Sequence, residues 1–137
     1  VTTSLRDSAI WTSEKGTTVQ WTAMGKGNVD WVKYFDRFKE LCPNVPVHIE
    51  TISGFNREIP FLEEGFMELF PDMKASTLSR YLKWARQGAP RDPWKAPVGP
   101  NADRADHNKD LATQEYQKLE IEESIRYCKS IGLGLKA

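Results

Sequence analysis

Glu50 is the residue of this chain best suited by type and surroundings to carry out chemistry. It stands in a short β-branched run, Val45 to Ile52, that ends at Ser53 and Gly54. A carboxylate in an apolar strand is costly unless it is hydrogen-bonded, paired or coordinated to a cation. Glu50 therefore calls for a partner: a basic residue such as Arg6 across the sheet, a metal ion, or a substrate for which it is the catalytic base. Strand alternation puts His48, Glu50 and Ile52 on one face and Val47, Ile49 and Thr51 on the other. His48, deeper on Glu50's face, reads as a hydrogen-bonded core residue. Arg6 and Asp7 sit near the end of an earlier β-rich run. If the two strands are parallel neighbours, Arg6 reaches a substrate phosphate or hydroxyl beside Glu50 and Asp7 orients it; a plain rim ion pair is the competing assignment.

Further candidates are weaker. Trp11, Trp21, Trp31 and Phe55 can stack on a sugar ring or fill a core. Gly25-Lys-Gly27 opens a helix, where backbone N–H groups favour an anion; a tight turn plus a helix cap explains it equally. It follows a long loop, not a strand, and so is no dinucleotide fingerprint. His107 falls in a polar stretch and reads as solvated.

The elements that must position these residues follow from pattern. Residues 1–10 read as a strand, and Ser13-Glu-Lys-Gly16 is a turn signal before Thr17–Thr22, a hairpin arm or lid. Asp30 is an N-cap for a helix over 30–42, with Trp31, Tyr34, Phe35, Phe38, Leu41 and Cys42 on one face. Pro43 and Pro46 stop it before the 45–52 strand. Strand, helix, strand implies a parallel βαβ unit. Helices are expected over 59–86, with Ser76 or Thr77 as a cap and Gly88 past the end. A Pro-rich polar excursion covers 89–110, with Pro90, Pro93, Pro97 and Pro100. A last helix begins near Leu111, with Ala112, Tyr116, Leu119, Ile121, Ile125 and Cys128 as its apolar set, ended by Gly132 and Gly134. The implied organisation is 1–88, 89–110 and 111–137.

The chain has 137 residues, enough for one domain but short of the roughly 200 to 250 of a complete eight-stranded α/β barrel. Nineteen basic and nineteen acidic residues balance, so no global field favours nucleic acid or an anionic membrane. Two cysteines far apart, Cys42 and Cys128, suit buried thiols in a reducing, cytoplasmic compartment. No apolar run is long enough to span a membrane.

Taken together, Ser4-Leu-Arg-Asp7, the loop ending in Gly25-x-Gly-x-Val-Asp30, the helix after it and Val47-His-Ile-Glu50 resemble the last two strand–helix units of xylose-isomerase-like barrels. That superfamily comprises sugar-phosphate isomerases and epimerases and an apurinic-endonuclease branch. The resemblance implies the C-terminal portion of a (β/α)8 TIM barrel with a helical C-terminal extension, the earlier strands belonging to a longer parent chain. It implies a divalent ion (Mn, Mg, Co or Zn) with Glu50 as ligand and proton-transfer residue. Arg6, Asp7 and Trp21 would contact a small sugar or sugar-phosphate substrate, and catalysis would pass through an enediolate. The sequence departs from the family at Ser4, where the family carries a histidine ligand. Two alternatives follow: a non-catalytic module that self-associates through open sheet edges and its C-terminal helix, or an apurinic-endonuclease-like metal hydrolase.

Overall fold

The computed structural model describes residues 2–52, 54–95 and 105–133, with side chains from 111 onward in the last segment. Ser53, Pro97, Pro100 and Gly134, and the His107 side chain, lie outside the described residues.

Ser13-Glu-Lys-Gly16 turns the chain back on itself. Strand β1 (Asp7–Ser13) pairs antiparallel with β2 (Gly16–Thr22) along its whole length, from Asp7 opposite Thr22 to Ser13 opposite Gly16. The other edge of β2 takes β3 (Asn56–Ile59), with Thr17 opposite Ile59 and Gln20 opposite Asn56. The sheet is thus a three-stranded antiparallel meander in the order β1-β2-β3.

This overturns the expected portion of a (β/α)8 barrel, whose strands would be parallel. The 45–52 run contributes one parallel bridge, Leu5 to Ile49, made by Leu5 N–H to the His48 carbonyl (2.9 Å) and Glu50 N–H to the Leu5 carbonyl (2.8 Å). It goes no further because both edges of β1 are taken. β2 holds one; Asn28 holds the other, donating its N–H to the Ser8 carbonyl (2.9 Å) while its Oδ1 accepts from Ile10 N–H (2.8 Å). The chain then turns at Gly54 (φ 92°) to supply β3, a strand just ahead of the expected helices, in a stretch to which no strand was assigned.

Helix α1 (Trp31–Leu41) begins as the sequence requires, the Asp30 carboxylate accepting from Lys33 N–H at 3.2 Å. Trp31 and Phe35 form a closed core with Met24 and Cys128, and Leu5, Phe38, Val47, Ile49, Tyr127 and Ile131 pack around it. Burial pushes the Cys128 thiol above its ordinary pKa. A 3-10 turn (Phe66–Leu69) and helix α2 (Ala75–Ala85) follow. α2 starts at Lys74 without a side-chain cap, so neither Ser76 nor Thr77 plays that part. Gly88 passes so close to β1 that a Cβ there would meet the Ile10 carbonyl oxygen at 1.8 Å.

Helix α3 (Ala105–Ser130) starts six residues before the expected Leu111. It ends in a Schellman motif: Gly132 at φ 87°, its N–H on the Lys129 carbonyl, and Leu133 N–H on the Cys128 carbonyl. Its buried face is apolar at Cys128 and polar one and two turns earlier. Glu120 accepts from Ala23 N–H (2.8 Å) and Ser124 Oγ from Met24 N–H (3.0 Å), both side chains being buried. Leu119 and Ile125, expected on the apolar face, are exposed. The loop after β2 presents backbone donors that need acceptors, and this selects polar residues over leucine at the contact. No helix among the described residues is long and apolar enough to cross a membrane.

Candidate functional site

The Leu5–Ile49 bridge fixes which side chains meet. Leu5 and Ile49 turn into the core, so Ser4, Arg6, His48 and Glu50 fall on the opposite side of the two segments. Ser4 Oγ donates to Glu50 Oε2 at 2.7 Å, and the Arg6 guanidinium lies 3.6 Å from the same oxygen. The Arg6 and Glu50 side chains keep 34% and 37% of their surface in solvent, so the pair adds only about 0.5 kcal/mol to stability and stays open to a ligand.

Arg6 also lies over Trp21, its guanidinium carbon 5.7 Å from the ring centroid. Trp21 in turn meets Phe55 with centroids 4.8 Å apart and ring planes at 43°. The result is a half-open recess with one carboxylate, one guanidinium, one hydroxyl and an aromatic wall.

Backbone contacts hold the chain beside Trp21. Gly54 N–H donates to the Trp21 carbonyl (3.1 Å), and Trp94 N–H donates to the Gly54 carbonyl (2.6 Å). Trp94 stacks on Tyr116 of α3 with centroids 4.5 Å apart and planes at 13°. A Cβ at Gly54 would lie 2.6 Å from the Tyr116 ring, so glycine is required there by φ and by space together. The start of the Pro-rich excursion is accordingly a strap: Gln20 Nε2 donates to the Asp92 carbonyl (2.9 Å), Asn56 Nδ2 to the Arg91 carbonyl (2.8 Å), and the Arg91 guanidinium to the Lys26 carbonyl (2.7 Å).

Partial burial pushes the Tyr116 phenol up to about 12, with the Glu120 and Glu123 carboxylates adding to the effect. Because the folded value exceeds the unfolded one, the stability that depends on neutral Tyr116 is whole below pH 10 and is lost as pH rises from about 10 to about 12. Absorbance titration at 295 nm is expected to show a tyrosine that ionises near pH 12 in native protein and that disappears in Tyr116→Phe.

Asp7 lies away from this recess. It is completely buried on the other face of β1, and its carboxylate accepts from Ser8 N–H (2.8 Å), Gly25 N–H (2.9 Å) and Gly27 N–H (2.9 Å). The Gly25-x-Gly27 element does bind an anion, and that anion is the chain's own Asp7. A Cβ at Gly27 would lie 2.0 Å from Asp7 Oδ1, which explains the glycine. His48 is hydrogen-bonded, its Nδ1 2.6 Å from Thr2 Oγ1, but it is exposed and not in the core.

The residues around Glu50 do not fit a divalent ion. Its Oε2 is engaged by Ser4 and Arg6, a cation beside the carboxylate, and among the described residues no three His, Cys, Asp or Glu side chains converge. No chemical step is therefore routed through a metal. The recess also uses residues whose part the pattern does not show: Ser4 as donor, and Gly54, whose N–H ties the chain to the Trp21 carbonyl. Gly54 before an aromatic residue was the one local signal of a close approach. No family model, no curated protein and no solved structure matches this chain.

Proposed function

We propose that the chain binds a small sugar or sugar phosphate in the Arg6–Glu50–Trp21 recess and transfers a proton next to its carbonyl group. The observation that carries the proposal is the placement of a carboxylate and a guanidinium 3.6 Å apart above an aromatic face, both partly open to solvent. An aromatic wall suits the C–H face of a sugar, and a carboxylate suits its hydroxyls. The guanidinium takes the substrate's carbonyl oxygen. Glu50 then accepts the proton from the adjacent carbon, Arg6 balances the charge that develops on the enediolate oxygen, the hydroxyl proton of the second oxygen passes to that oxygen, and Glu50 returns its proton to the former carbonyl carbon. Ser4 holds the carboxylate in position through its 2.7 Å hydrogen bond.

Binding is tested by titrating pentose and hexose phosphates into 15N-labelled protein. The Trp21 indole signal is expected to shift saturably, and Arg6→Ala to weaken binding by about tenfold, the loss of one charge-assisted contact. Shifts that are linear in ligand, or equal in Arg6→Ala, would remove the recess as the site.

A further inference from the structure

The opposite end of the same sheet face carries a second concavity. Thr17, Val19 and Trp21 alternate onto one face of β2, so the recess at Trp21 lies about 13 Å from Thr17. Above Val19 and Ile59 the 3-10 turn and α2 enclose a cavity of about 320 Å³. Its wall includes Phe66, Met73, Leu78 and Tyr81, and none of the residues lining it is charged.

This cavity differs from the closed core around Trp31. There Met24, Trp31 and Phe35 are at most 3% exposed; here Phe70 and Met73, which also line the cavity, remain 45% and 41% exposed. The walls close on the sheet, turn and helix sides and leave a mouth, a shape for a small molecule and not for a flat protein face. A dry cavity of about 150 Å³ takes one benzene ring, so this one takes about a dozen heavy atoms. Tyr81, which lines the wall, has its hydroxyl 2.7 Å from Thr17 Oγ1, and Thr17 is fully buried. The two hydroxyls satisfy each other, and the surface that the cavity offers is almost wholly apolar. Methionine at the mouth adapts to ligand shape at little cost.

We infer that this cavity is a binding site for a small uncharged apolar molecule, of the size of a ten-carbon hydrocarbon. The inference stands independently of the sugar site. The neutral fluorophore 1-aminonaphthalene, which is within that size, is expected to bind saturably at one site per chain and to be displaced by butylbenzene. Leu78→Trp fills the space and is expected to weaken dye binding at least tenfold. Met73→Trp at the mouth is the second variant should Leu78→Trp fail to fold by circular dichroism. Tyr81→Phe keeps the shape and is expected to leave the binding of the dye and of butylbenzene unchanged. Glu50→Gln is expected to change neither. Non-saturable dye fluorescence would overturn the inference, as would saturable binding untouched by a folded space-filling variant. So would light scattering that shows a dimer whose formation alone excludes the dye, since the occupant would then be a second copy.

Discussion

Replacing Asp7 by alanine is expected to lower the unfolding free energy by about 4 kcal/mol, read from urea denaturation followed by circular dichroism. The Asp7 carboxylate has no exposed surface and accepts from three backbone N–H groups, at Ser8, Gly25 and Gly27. Alanine leaves all three donors without that acceptor and opens a space at the junction of β1 with the loop after β2. That loop also carries the Ala23 and Met24 N–H groups on which Glu120 and Ser124 dock α3. Its loosening therefore reaches the closed core, where Met24 and Cys128 meet. Asparagine in place of Asp7 retains one acceptor oxygen but turns an amide donor toward backbone donors, so it recovers only part of the loss. A change below about 1 kcal/mol in Asp7→Ala would mean that the loop is held elsewhere.

The same residue shows how much of the molecule was legible. Asp7 was readable as half of a charged pair near a strand end, and Gly25-x-Gly27 as an anion-binding turn. That the two satisfy each other depends on β1 and β2 forming a hairpin, which brings residues 7 and 25 together. Helix α1 was clear because its signals are local: an N-cap at Asp30, apolar spacing from Trp31 to Phe38, and proline after it. The turn at Ser13–Gly16 is equally local and marks Thr17–Thr22 as a hairpin arm or lid; that arm takes one edge of β1 and Asn28 the other, so the expected parallel unit does not form. On α3 Cys128 enters the core as its pattern implies, whereas Glu120 and Ser124 are buried and Leu119 faces solvent because their partners are backbone donors. The β-branched run at 45–52 carries the pattern of a full strand but finds only Leu5 to pair with. Pattern marks the capacity to form a ladder, and an available edge decides whether it forms. The nearness of Arg6 to Glu50 survived this change of fold, because the single bridge at Leu5–Ile49 is enough to set it.

Glu50→Gln is expected to abolish proton transfer while leaving the fold almost unchanged. Glutamine keeps an oxygen for the Ser4 hydroxyl and nearly the same volume. The loss of a half-exposed pair with Arg6 costs under about 1 kcal/mol. A general base contributes about 10²- to 10⁴-fold to rate, so activity should fall by that factor with no matching fall in stability. A structural role for Glu50 would show the reverse: a variant that unfolds more easily, with any activity falling only in proportion to the unfolded fraction.

The most direct measurement is solvent deuterium exchange. Ketose and aldose phosphates are incubated with the protein in D2O, and proton NMR follows the C–H next to the carbonyl. The Glu50 base predicts deuterium incorporation at that carbon with wild-type protein, at least 100-fold slower in Glu50→Gln, an estimate from the usual contribution of a general base. Incorporation at equal rates in the two proteins, or none above the buffer rate with wild type for any sugar phosphate that binds, would contradict it.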